Sequence, residues 1–370
     1  MNITSGHPLS DGTTENSRIV RAFRGDRPDV TPVWFMRQAG RSLPEYRELR
    51  AGTGMIESCL RPDLASEITL QPVRRHGVDA GIFFSDIVVP LRLAGVDVDI
   101  APGVGPVLGS PVRTADDVAR LGDLQLTDAA LAPVAEAVAL TVAGLAELPG
   151  ASGEGDTPLI GFAGAPFTLA AYMVEGRPSR DHLAARAMMH GQPEVWDALL
   201  RWCANVTGHF LTAQVRAGAS AAQLFDSWAG SLSLADYERH VAPYSTLALR
   251  EVRSLDVGGR PVPVIHFGTS TGHLLTAMRD VGADVVGVDH RTPLSEASTM
   301  LGDAVPLQGN IDPAMLFTPE DVLHAHAREV LAQGRQAPAH VVNLGHGVPP
   351  DTDPAVLTRL VQVVHETALP

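Results

Sequence analysis

The chain has 370 residues, 45% of them hydrophobic, and a formal net charge of -14, which allows one large α/β domain or two smaller ones and disfavours nucleic acid as a partner, because phosphate backbones demand a basic surface. All 28 residues counted as Lys+Arg are arginines, so chemistry that needs a lysine amine is excluded: pyridoxal phosphate enzymes, Schiff-base aldolases and P-loop nucleotidases. Cys59 and Cys203 are the only cysteines and form no CxxC pair, which signals neither a disulfide framework nor a cysteine-rich zinc site and favours a reducing cytoplasm.

Residues 1–17 are polar, lack the apolar segment of a signal peptide and read as a flexible tail ahead of a single catalytic domain over 18–370. Eight apolar runs of strand length follow: PVWFM (32–36), AGIFF (80–84), LIGF (159–162), AAQLF (221–225), VPVIHF (262–267), DVVGV (284–288), VPLQG (305–309) and HVVNL (340–344). They are continuous rather than alternating, as strands buried on both faces require, and helical patterns separate them. This order predicts an α/β fold, a single-domain (β/α)8 TIM-type barrel, with a doubly wound open sheet as the alternative. VDVDI (96–100) is read as part of an extra hairpin, and 150–158 and 256–261 as surface loops. The apolar stretch Ala129 to Leu148 carries Glu136, Glu147 and Pro133 and reads as a packed helix, so no membrane span is expected.

In such barrels the reactive groups sit where strands end. Arg37 and Arg41 follow the first run, within FMRQAGRSLPEYRELR, where Arg47 and Arg50 add further charge. Arginine is always protonated and its planar fork grips carboxylates, so the cluster suits a ligand with several of them; four-residue spacing on an exposed helix face is the plain alternative. Ser85 and Asp86 follow the second run, Gly164, Pro166 and Tyr172 the third, Asp226 and Ser227 the fourth. The fifth carries His266 before GTSTG, the sixth ends at Asp289 and His290, the seventh at Asn310 and Asp312, and the eighth at His346 between two glycines. Helix or turn capping would explain Asp86, Asp226 and Asp289 without chemistry, and core packing would explain Tyr172.

The strings FMRQAGRSLPEYRELR, FFSDIVVP, GFAGAPFTLAAYMVEG, FDSWAG, LQGNIDP and VNLGHGVPPDTDP resemble the uroporphyrinogen decarboxylase family, in that family's order and over nearly the whole chain. The resemblance implies a cofactor-free carboxy-lyase that converts the four acetate side chains of uroporphyrinogen III to methyls, giving coproporphyrinogen III in haem biosynthesis, with no metal. It further implies Asp86, Arg37 and Tyr172 as catalytic, and Arg37, Gln38, Ala39, Gly40, Arg41, Arg50, Asp86, Tyr172, Ser227 and His346 as substrate-binding. A cytoplasmic homodimer is also implied. Ser42, Leu60 and His290 depart from the family's usual aromatic, lysine and tryptophan.

Three readings compete with this one, and the long specific strings disfavour the most distant, an unrelated barrel enzyme acting on a small anionic substrate. A corrinoid-linked methyltransferase of the same superfamily would need zinc on a His-x-Cys pair and a later cysteine. The corresponding segments read His266-Phe267-Gly268 and GHG, without cysteine. A non-catalytic tetrapyrrole carrier would keep the arginine clamp, but intact Asp86 and Tyr172 argue for turnover.

Overall fold

The computed structural model describes residues 6–150, 156–257 and 259–367. Seven strands form one parallel sheet: β1 (Gly81–Ile82), β2 (Leu159–Gly164), β3 (Ala221–Phe225), β4 (Val264–Phe267), β5 (Val285–Gly287), β6 (Leu307–Gln308) and β7 (His340–Val341). Each neighbours the next in chain order, for example Ile160 opposite Ala221 and Ile265 opposite Val285. An unbroken order is that of a curling barrel sheet, not of a doubly wound sheet, in which the order reverses at a switch point. Nearly every strand residue is buried, which accounts for the continuous apolar runs.

The first run, 32–36, lies between β7 and β1 but pairs by one bridge, Val33 opposite Val342. Trp34 N–H donates to Val342 O at 3.2 Å and Val342 N–H to Pro32 O at 2.8 Å. Toward β1, Asp79 N–H donates to Val33 O at 2.9 Å, while Val33 N–H turns to the Asp79 carboxylate at 2.7 Å. A side chain thus takes the place of a ladder acceptor, and Pro32 has no N–H to offer, so the eighth position is filled by an extended segment rather than a regular strand. Across the barrel interior, Trp34 Nε1–H donates to Gln308 Oε1 at 3.0 Å and Gln308 Nε2–H to Gln223 Oε1 at 3.1 Å. This string ties that segment to β6 and β3.

Helices wrap the sheet. Pro62–His76 starts with Pro62, whose fixed φ suits a first helical position, and ends at Gly77 in the left-handed region with φ 66°. Pro193–Arg216 buries Leu199, Cys203, Phe210 and Gln214 at helical spacing. Gln214 bonds both Phe162 N–H and Phe162 O at 2.9 Å, and Thr207 Oγ1–H donates to Gly164 O at 2.8 Å, so this helix fixes the end of β2.

Asp128–Ala146 is the one helix among the described residues long and apolar enough to cross a membrane. Leu131, Val134, Ala137, Val138, Thr141 and Leu145 are buried, while its outer face carries alanines, Glu136 and Leu140. The expected hairpin exists, with Val98–Ala101 antiparallel to Gly105–Leu108. Of the two expected loops, residues 151–155 lie outside the described residues, and 256–261 holds a small antiparallel pair, Asp256–Val257 with Arg260–Pro261.

The expectation of a loose tail meets a segment that is tied down from Gly6 onward. His7 Nε2–H donates to Val215 O at 2.9 Å, Thr14 and Ser220 share a hydroxyl bond at 2.8 Å, and Leu9 is buried. Both partners lie more than two hundred residues away, so local composition gave no sign of them.

Candidate active site

The arginine loop is built by contacts between the two ends of the barrel. Met36 N–H donates to Asn343 Oδ1 at 2.9 Å, and Val348 N–H to Met36 O at 2.8 Å. Gln38 is fully buried, accepting from Phe35 N–H at 2.9 Å and donating to Ala80 O at 3.0 Å. Its side chain therefore shapes the loop, leaving Arg37 in the left-handed region with φ 60°. Arg37 and Arg41 are exposed and make no ion pair among the described residues. The N–H groups of Ala39, Gly40 and Arg41 likewise find no backbone acceptor there. Two free guanidinium groups beside free amides make a cradle for anions.

Arg50 is held differently. Its Nε–H donates to Ser58 Oγ at 3.2 Å, Nη2–H to Thr53 O at 3.1 Å and Nη1–H to Tyr46 Oη, and the guanidinium lies 5.3 Å from the Tyr46 ring centroid. It is pre-set, with two N–H donors left over.

Asp86 follows β1. One carboxylate oxygen accepts from Val88 N–H at 3.1 Å, so the capping reading is correct for that oxygen, and the other has no donor among the described residues. Burial raises its pKa, while the Val88 N–H and the positive Arg37 pull it back. Tyr172, on the helix Pro166–Glu175, has its phenol pKa pushed up by burial and then by the Asp86 charge, with Arg37 opposing. Buried Cys59 is raised by burial and by Asp86, with Arg50 opposing. Arg37, Asp86, Tyr172, Cys59 and Arg50 thus share one electrostatic neighbourhood.

Gly345 and Gly347 explain the setting of His346. A Cβ at Gly347 would lie 2.5 Å from Arg37 Cδ, and one at Gly345 only 2.2 Å from the His290 nitrogen. Both neighbours approach because the glycines carry no side chain. The His346 ring is exposed, and its pKa is lowered first by desolvation and then by Arg37, His290 and Arg291. Ser227 follows β3, where Thr269 Oγ1–H donates to its carbonyl at 2.5 Å. Next to it, Trp228 stacks on Tyr172 with ring centroids 3.7 Å apart.

Several polar residues at strand ends prove architectural. Asp289 accepts from Ser270 N–H at 2.6 Å and pairs with Arg291 at 2.6 Å, which accounts for GTSTG as a pinned turn. Asn310 bonds the carbonyls of Asp289 and Thr292 at 2.9 and 2.7 Å. Asp226 is fully buried and accepts from Thr168 Oγ1–H at 3.0 Å. Fully buried His266 contacts Met278 O through Nδ1 at 3.1 Å, and since a carbonyl only accepts, Nδ1 carries the proton. Sequence reasoning passed over Asn343, Thr168 and Trp228. All three stand inside the quoted strings, Thr168 in GFAGAPFTLAAYMVEG, Trp228 in FDSWAG and Asn343 in VNLGHGVPPDTDP, without a pattern that marks them out there.

The profile of the uroporphyrinogen decarboxylase (URO-D) family matches residues 14–367. A uroporphyrinogen decarboxylase of Arthrobacter sp. (strain FB24) is 66% identical over 355 residues, covering 96% of this chain and 98% of that protein. The chain belongs to the uroporphyrinogen decarboxylase family. A relative of the same name from Leifsonia xyli subsp. xyli is 62% identical, covering 97% of each chain. Among solved structures, a methyltransferase from Methanosarcina mazei superposes with a TM-score of 0.76 at 19% identity, over 95% of this chain and 98% of that one. That likeness shows the shared fold alone. Of the departures from the family pattern, Ser42 is buried with no partner for its hydroxyl among the described residues, Leu60 packs on the core, and His290 lies against Gly345.

Proposed function

We propose that this chain removes CO2 from the four acetate side chains of uroporphyrinogen III to give coproporphyrinogen III. The observation that carries the reading is the family match over residues 14–367, with relatives at 62–66% identity over 97–98% of their lengths. Each step replaces a carboxylate by hydrogen: the acetate takes up one proton and releases CO2. The electron pair left by CO2 needs a sink, and a pyrrole ring protonated at carbon supplies one.

The side chains fit that chemistry. Asp86, with one oxygen committed to Val88 N–H, keeps the other to accept pyrrole N–H bonds and to stabilise the cationic ring. Its raised pKa records the burial cost of holding this charge in place. Arg37 and Arg41, without an ion pair among the described residues, bind substrate carboxylates together with the amides of Ala39 and Gly40, and Arg50 supplies a fixed third cation. Gln38 supports that loop from beneath. Tyr172, Ser227 and His346 contribute neutral donors to the remaining carboxylates. Arg37 serves as a clamp rather than a general acid, because a guanidinium is a poor proton donor and its planar fork suits carboxylates.

Residues 18–370, with the segment anchored through His7 and Thr14 packed on them, act as one catalytic domain in a cytoplasmic homodimer. Anaerobic incubation of the metal-chelated protein with uroporphyrinogen III, then oxidation and chromatographic counting of carboxylates, tests the function. A ladder from eight carboxylates to four is expected. An unchanged but bound octacarboxylate would make the protein a carrier.

A further inference from the structure

The chain has four tryptophans, and their indole N–H groups differ in one respect. Trp34 donates to Gln308 Oε1 at 3.0 Å, Trp196 to His240 O at 3.2 Å and Trp202 to Leu124 O at 3.1 Å. Trp228 is half-buried beside Tyr172 and Ser227, yet its indole N–H has no acceptor among the described residues. Indole nitrogen is a donor only, so it calls for an acceptor, and a substrate carboxylate is one. The ring itself is fixed from three sides. Tyr172 stacks on it with centroids 3.7 Å apart and planes at 31°, and His182 stacks on it at 4.2 Å and 21°. Its backbone N–H donates to Thr168 Oγ1 at 3.4 Å, and that hydroxyl donates onward to buried Asp226 at 3.0 Å. His182 is braced in turn by Phe167, with centroids 6.4 Å apart, and Phe167 by Trp196 at 6.0 Å.

We infer that Trp228 is a substrate-binding and positioning residue: its indole N–H donates to a substrate carboxylate beside Tyr172, and its ring face sets the orientation of the Tyr172 phenol. The inference rests on the decarboxylation reading above. A burial-lowered pKa keeps His182 neutral, so that ring backs the stack without adding charge.

Two substitutions separate the roles. Trp228→Phe keeps a ring face and loses the donor, so KM for uroporphyrinogen III should rise roughly tenfold with kcat within about twofold, the effect of one hydrogen bond to a charged group. Trp228→Ala loses both, so kcat should fall as well, by on the order of tenfold or more, as Tyr172 loses its backing. If Trp228→Ala does not fold, Trp228→Leu takes its place, filling volume without a ring face. A wild-type KM in Trp228→Phe, or a wild-type kcat in the Ala or Leu variant, would overturn the inference. Absence of turnover in the wild-type protein would instead count against the decarboxylation reading.

Discussion

Gly347 and Arg37 are in such close contact that a Cβ on the glycine would lie 2.5 Å from Arg37 Cδ and 2.8 Å from Cγ. The atoms met belong to a flexible side chain. Gly347→Ala should therefore fold normally while moving the guanidinium, with kcat/KM reduced on the order of 10–100-fold. Gly345→Ala meets the His290 backbone nitrogen at 2.2 Å, which cannot yield so cheaply. It should destabilise the fold by about 1–3 kcal/mol, visible as a lower denaturant midpoint.

Arg37 and Arg41 face a polyanion from a chain of net charge -14, so long-range repulsion must be overcome by the local cluster. Raising ionic strength from about 0.01 M to 0.15 M shortens the screening length from roughly 30 Å to 8 Å. KM should rise over that range, and the rise should be smaller in Arg41→Gln. A KM independent of salt would rule out the carboxylate clamp.

Arg50 differs because Ser58, Tyr46 and Thr53 already occupy three of its donors. Arg50→Met should lower stability by about 1–2 kcal/mol as well as weaken substrate binding, whereas Arg41→Gln should leave stability within about 0.5 kcal/mol of wild type.

Acid sensitivity should arise partly from two buried histidines. Burial lowers both His76 and His340 to about 4. The folded state refuses protons that the unfolded chain accepts near pH 6.5, so stability is full above that value and falls as pH drops toward 4. His340 Nε2–H donates to Gly309 O at 2.6 Å, a bond that glutamine can replace without titrating. His340→Gln should therefore flatten the loss of unfolding free energy between pH 6.5 and 4. An unchanged slope would show that His340 does not contribute.

Much of this architecture was legible because it is local. Each of the eight apolar runs coincides with a sheet strand or with the closing segment at 32–36, since burial on both faces leaves a continuous apolar signature. Arg37, Asp86, Tyr172 and His346 stand after such runs, and the structure brings Arg37, Asp86 and Tyr172 into one electrostatic neighbourhood. What could not be read is what holds them. Met36 bonds Asn343 across 307 residues, and the need for glycine at 345 comes from His290 rather than from its own turn. The supposed tail failed for the same reason, its anchors at Val215 and Ser220 being invisible to local composition. Asp289 looked reactive and is structural, because Ser270 and Arg291 already claim its oxygens.

Asp86→Asn tests whether the Asp86 carboxylate stabilises a cationic ring, with binding, turnover and unfolding followed on one preparation. Asparagine keeps the shape and loses the charge, so uroporphyrinogen III should still bind while turnover falls at least about 100-fold. Burial raises the Asp86 pKa, which means that the folded state holds its proton more tightly and loses stability as pH rises through that pKa. At pH 7–8 the wild type bears this cost and the amide does not, so the variant should unfold at a higher temperature while being nearly inactive. Turnover close to wild type in Asp86→Asn would rule out this role for Asp86 and move the stabilising charge to another group.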